Sequence, residues 1–93
     1  MVVYGIICDE SDKARLARAV MQAARDGASL SEVQRRYVAA VTKLAAIDAA
    51  IARAPETYAA KKAQRKSAAY KVMVAATNMH AEQYEVEVRA AAA

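Results

Sequence analysis

The chain reads as a mainly α protein: a short helix, then a long antiparallel helical hairpin turning at Pro55. The two terminal segments are candidates for a small two-stranded β ribbon. Three observations carry this reading. Before Pro55, Val33, Tyr37, Ala40, Leu44, Ile47, Ile51 and Ala54 repeat at 4-3-4-3-4-3 spacing. After it, Ala60, Ala63, Ser67, Tyr70, Val74, Thr77, Ala81 and Tyr84 repeat at 3-4-3-4-3-4-3. Such seven-residue repeats put one apolar stripe on each helix, and the two stripes cover each other only if the chain reverses. Pro55 itself lacks the N–H that a helix interior needs but suits the first turn of a new helix, here followed by Glu56. A single kinked helix is the competing reading. If the reversal centres on the proline, paired positions sum to roughly 110, which makes Tyr37 and Tyr70 near neighbours.

Each element has its own signals. Val2, Val3, Tyr4, Gly5, Ile6 and Ile7 are mostly β-branched or aromatic and read as a short strand. Such a strand needs a partner, and Tyr84 to Arg89 is the internal candidate because it alternates apolar and charged residues. The competing reading continues the last helix to the C-terminus, since Tyr84 and Val88 also fit its stripe and Ala90–Ala93 favour helix. Asp9 is a plausible N-cap for the first helix, with Glu10 and Asp12 in its first turn. That helix runs to about Arg25 and stops at Gly27. Its apolar face is Leu16, Val20, Ala23 and Ala24 with Met21 beside it; Arg15, Arg18, Gln22 and Arg25 line the solvent side. Ser29 followed by Glu32 reads as a capping box opening the second helix. The second helix carries a further stripe of Val38, Val41, Ala45 and Ala52, enough apolar circumference to touch two neighbours.

With 93 residues the chain is expected to form a single domain over residues 1–93, of a size that is marginally stable alone. Alanine supplies 26 residues and every aromatic is tyrosine. Ala-rich stripes allow close helix approach but bury little area each, so a partner subunit would help such a core. Heavy alanine and arginine usage is also what GC-rich coding gives, which points to a bacterial or phage source. Cys8 is the lone cysteine, which excludes an intrachain disulfide and suits a reducing compartment. The apolar stretch before Cys8 has no basic residue ahead of it and is too short to be a signal peptide or membrane span. Ile7 stands where a lipoprotein cleavage site needs a small residue, so no lipid anchor is expected on Cys8. The expected location is the cytoplasm, away from any membrane.

No residue set assembles into a recognisable active site, and an enzyme is not expected. His80 has no companion ligand at helical spacing, so no metal site is expected. Cys8 has no histidine in sequence reach, Gly5 and Gly27 are too far apart for a phosphate loop, and no Ser-His-acid set forms. No cofactor is implied. The acids at the two ends, Asp9, Glu10, Asp12, Glu82, Glu85 and Glu87, lack the loop spacing of a cation site and read as helix-start and solvated residues.

Charge distribution says more than the net +4. Residues 13–71 hold 13 Lys or Arg against four acids, whereas the first 12 residues hold three acids and no base. Lys61, Lys62, Arg65 and Lys66, with Lys43 and Arg53 on the facing helix, form a candidate site for an anionic ligand or nucleic acid. Contact with a nucleic-acid backbone fits better than base reading, because no helix-turn-helix is evident. The apolar residues Val38, Val41, Val72, Met73 and Met79 form a candidate self-association surface. The leading functional expectation is therefore a non-enzymatic binding or regulatory module that forms a homo-oligomer through coiled-coil-like helix faces. An anion or nucleic-acid binder is the alternative. A small inhibitor acting on a larger bacterial protein partner is a third expectation.

Overall fold

The computed structural model describes residues 10–92, with side chains from 12 onward. Its elements are helix α1 (Glu10–Arg25), helix α2 (Glu32–Arg53), a 3-10 turn (Pro55–Thr57) and helix α3 (Tyr58–Ala92). The fold is mainly α, and no strand occurs among the described residues.

Helix α1 ends as its glycine requires. Gly27 has a φ of 75°, the left-handed conformation that only glycine adopts freely. The Ala28 N–H donates to the Ala23 carbonyl at 2.9 Å and the Gly27 N–H to the Ala24 carbonyl at 3.2 Å, a Schellman pair that satisfies two end carbonyls. The inward residues of α1 are those expected: Val20 is buried, and Leu16, Met21, Ala23 and Ala24 are half-buried.

The start of α2 corrects the expected cap. Ser31, not Ser29, is the N-cap: its Oγ accepts from the Gln34 N–H at 3.1 Å, and Gln34 Oε1 accepts from the Ser31 N–H at 3.0 Å. A Ser-x-x-Gln box closes as well as Ser-x-x-Glu, and placing it here frees Glu32 for the first helical turn. There Glu32 accepts from Arg35 at 2.8 Å and from Arg36 at 3.1 Å. The apolar face of α2 lies inward as its spacing implies: Tyr37 and Ile47 are buried, and Val33, Ala40, Leu44, Ile51 and Ala54 are half-buried.

Pro55 opens the 3-10 turn, and Thr57 closes it by donating its N–H and its hydroxyl to the Ala54 carbonyl at 2.9 and 2.7 Å. Helix α3 then lies against α2 in the opposite chain direction. Arg65 donates to Asp48, and Ser31 Oγ donates to Glu82 Oε1 at 2.8 Å. Both pairs are centred between Glu56 and Thr57, slightly beyond the proline, because the extra turn takes up residues.

Helix α3 differs from the sequence expectation in the face it turns inward. Ala68 and Met79 are buried, and Lys61, Arg65, Val72, Ala75 and Glu82 on the same column are half-buried. The predicted stripe from Ala60 to Tyr84 is exposed at every one of its positions. Tyr37 and Tyr70 are accordingly not the near neighbours expected. Tyr37 packs in a buried cluster with Val20 of α1 and Met79 of α3, while Tyr70 is 61% exposed. Size matching explains the rotation. The inner face of α2 presents bulky residues, so close helix approach requires small ones opposite, and the Ala68–Ala75 column supplies them where a tyrosine would overfill the gap.

The expected ribbon is also not borne out. Residues 84–89 belong to α3, held by i,i+4 contacts from Gln83 to Glu87 at 3.2 Å and from Arg89 to Glu85 at 3.7 Å. The alanines that follow have the highest helix propensity of any residue, which outweighs the alternating pattern. The proposed first strand, Val2–Ile7, lies outside the described residues. Since Ser31 meets Glu82 just before α2 begins, the last ten residues of α3, Gln83 to Ala92, overhang α2 by about 15 Å.

Met79 is 1% exposed at the junction of all three helices. Met79→Ala should therefore cost about 2–5 kcal/mol in urea unfolding. A loss well under about 1 kcal/mol would show that the three helices do not meet there.

Candidate functional site

The residues proposed for anion binding do not form one patch. Arg65 is half-buried on the inward column, where its Nε and Nη2 donate to the two Asp48 carboxylate oxygens, the second at 3.3 Å. Hydrogen bonding to Asp48 and its negative charge hold the Arg65 guanidinium above its usual pKa. Its charge is thus spent on joining α2 to α3. Lys61 shares that column, half-buried. Lys62 and Lys66 sit one residue further round, exposed and four apart. Arg53 is exposed in the last turn of α2, where the helix dipole favours a cation. Among the described residues no acid forms an ion pair with Lys43, Arg53, Lys61, Lys62 or Lys66.

Lys43 belongs to a different place. With Arg36 and Lys71 it borders an open groove of about 500 Å³ between α2 and α3, whose apolar floor includes Val33, Ala40 and Val74 and whose wall is Tyr70. No residue of α1 lines this groove. Sequence reasoning missed Arg36, Lys71 and the groove because it placed Tyr70 and Val74 in the core. A signal was present: the competing series Ala68, Val72, Ala75, Met79 has the same 4-3-4 spacing and sets alanines where the predicted stripe sets Tyr70 and Val74.

The proposed self-association residues are redistributed too. Met79 is enclosed within the chain, and Val38, Val41 and Val72 pack against the same core cluster. Burial beneath α1 removes Met79 from any outer surface, and only Met73 remains mainly exposed. The outer apolar surface lies instead along α3, where Tyr70, Val74, Tyr84 and Val88 are 61, 39, 44 and 47% exposed. Ser67, Thr77 and Ala81 complete that ridge.

Other site chemistry is sparse. No group of three or more His, Cys, Asp or Glu that could hold a metal ion occurs among the described residues. None of the described helices is long and apolar enough to cross a membrane. No family model, curated protein or solved structure matches the chain.

One electrostatic feature near the groove has a definite pH signature. The Arg35 hydrogen bond, then the charges of Arg36 and Arg35, hold the Glu32 carboxyl below the usual carboxylate range. A lowered folded-state pKa stabilises the fold fully above the unfolded value and ceases to do so as pH falls through the folded one. The melting temperature of the native chain should exceed that of Glu32→Gln at neutral pH. That difference should shrink to nothing on acidification and narrow with added salt. A gap that persists below the carboxylate range would assign the effect to something other than this charge.

Proposed function

We propose that the chain is a non-enzymatic interaction module that self-associates through the outer face of α3. The observation carrying this reading is the exposed 4-3 apolar ridge from Tyr70 to Val88. A helix with one apolar column buried against its neighbour and a second in water has the pattern of a helix meant for two neighbours. The second neighbour is not α1, which packs on the opposite side with Tyr37 and Met79. The ten-residue overhang strengthens the argument, since Tyr84 and Val88 stand beyond the reach of α2.

Multi-angle light scattering on the native chain at micromolar concentration should return more than one chain mass. Val74→Glu should return a single chain mass with helicity by circular dichroism retained, because Val74 lies on the outer face. A native chain that is folded and monomeric throughout a dilution series would contradict the proposal.

A second reading is favoured by the exposed cations at the opposite end of α3, where Lys62 and Lys66 have no described ion-pair partner. Like charges four apart on a helix repel unless water or an anion faces them, which suits a phosphate-rich ligand such as nucleic acid. Retention on a polyanion column should drop for Lys62→Glu/Lys66→Glu and fall steeply with salt. Unchanged retention would remove this reading.

A further inference from the structure

The outer face of α3 is self-complementary in charge as well as apolar, and we infer that its occupant is the α3 helix of a second copy, packed antiparallel and centred at Thr77 and Asn78. This inference rests on the self-association proposed above and specifies its geometry. The ridge Tyr70, Val74, Thr77, Ala81, Tyr84, Val88 alternates at 4-3-4-3-4, the spacing of a two-helix seam. Arg89 apart, its basic residues lie toward the helix start and its acidic ones toward the helix end: Lys66 and Lys71 against Glu85 and Glu87. Parallel packing would set like charges beside like. Antiparallel packing sets each basic half against the partner's acidic half, which is the complementarity that selects orientation.

The register follows from the same residues. Lys71, Asn78 and Glu85 follow one flank of the ridge at seven-residue intervals, while Lys66, Met73, His80 and Glu87 follow the other. A two-fold axis near Thr77 brings Tyr70 opposite the partner copy's residue 84 and Val74 opposite its residue 81, a large side chain facing large and a medium one facing small. The same axis pairs Lys71 with residue 85 of the second copy, and Lys66 with residue 87, each pair occurring twice by symmetry. Asn78 meets its own equivalent, which an amide tolerates because it is both donor and acceptor. Thr77 suits the axis. Its hydroxyl already donates to the Met73 carbonyl at 3.0 Å, so no unpaired polar group is turned into the seam.

The groove adds to the fit. Arg36, Lys43 and Lys71 border it on the flank that receives residue 85 of the second copy, so an incoming carboxylate enters a cationic rim over an apolar floor. Glu85 is drawn within its own helix only toward Arg89, at 3.7 Å between two exposed side chains, a weak contact that a partner lysine can displace or share. The two-fold arrangement closes over the ridge from Tyr70 to Tyr84, with Val88 falling opposite Ser67 of the second copy, and the surface needs no third copy.

The test is a charge exchange read by light scattering or sedimentation on the full chain. Lys71→Glu places acid against acid at both symmetry-related positions, and Glu85→Lys places base against base. Each single variant should dissociate about tenfold more readily than the native chain. The two variants mixed, or the double variant Lys71→Glu/Glu85→Lys with its net charge unchanged, should recover native association. Circular dichroism on each variant checks that α3 remains helical. A native dimer indifferent to the single exchanges, or not restored by the double, would overturn this register and leave self-association standing. A native chain that stays monomeric would overturn both.

Discussion

The structure depends on a size constraint between α2 and α3. The inner face of α2 carries Tyr37, Leu44, Ile47 and Ile51, and a second helix comes within packing distance only by offering small residues. Ala68, Ala75 and Ala76 do so, with Val72 between them and Met79 filling the space where α1 arrives. Polar groups at the two ends of this contact set its register: Arg65 on Asp48 near the turn, and Ser31 on Glu82 at the open end. Ser31 serves twice, since the side chain that caps α2 also holds α3. Neither end contact is fully buried, so they contribute alignment more than stability.

Satisfying that constraint has a consequence for the rest of α3. The helix carries two apolar columns, and seating Ala68, Val72, Ala75 and Met79 inside leaves Tyr70, Val74 and Tyr84 outside. Its length adds to the effect: 35 residues against 22 in α2 leave a terminal segment that α2 does not reach. A small chain with few fully buried side chains is then left with Tyr58, Tyr70 and Tyr84 on the surface, an arrangement suited to contact with another helix. The segregation of base and acid along α3 would give such a contact a direction.

Much of the fold was legible in the sequence, and the failures share a cause. The inward face of α2, the Gly27 stop and the apolar face of α1 follow from local periodicity and backbone chemistry, which are properties of one segment at a time. The outward turn of the Tyr70 column is a property of two segments. Periodicity counted both α3 columns as equally regular, and only the volume of the facing helix decides between them. Tyr84–Arg89 fits both strand and helix for a related reason: alternation over six residues resembles a strand, but the i,i+4 contacts of Gln83 and Arg89 and the alanines beyond make helix the lower state. At the candidate sites, sequence found the density of positive charge but not its division. Arg65 was indistinguishable from Lys62 until Asp48 took it inward, and Lys43 until the groove separated it from the turn.

The claim on which this account turns is that α3 faces α2 with its alanine column and solvent or partner with its tyrosine column. Nuclear Overhauser contacts in a methyl- and aromatic-labelled sample test it most directly. The account predicts cross-peaks from the Met79 methyl to the Tyr37 ring and the Val20 methyls, and from the Ala68 methyl to the side chains of α2. Cross-peaks joining the Tyr37 and Tyr70 rings within one chain, with Met79 free of both Tyr37 and Val20, would contradict it.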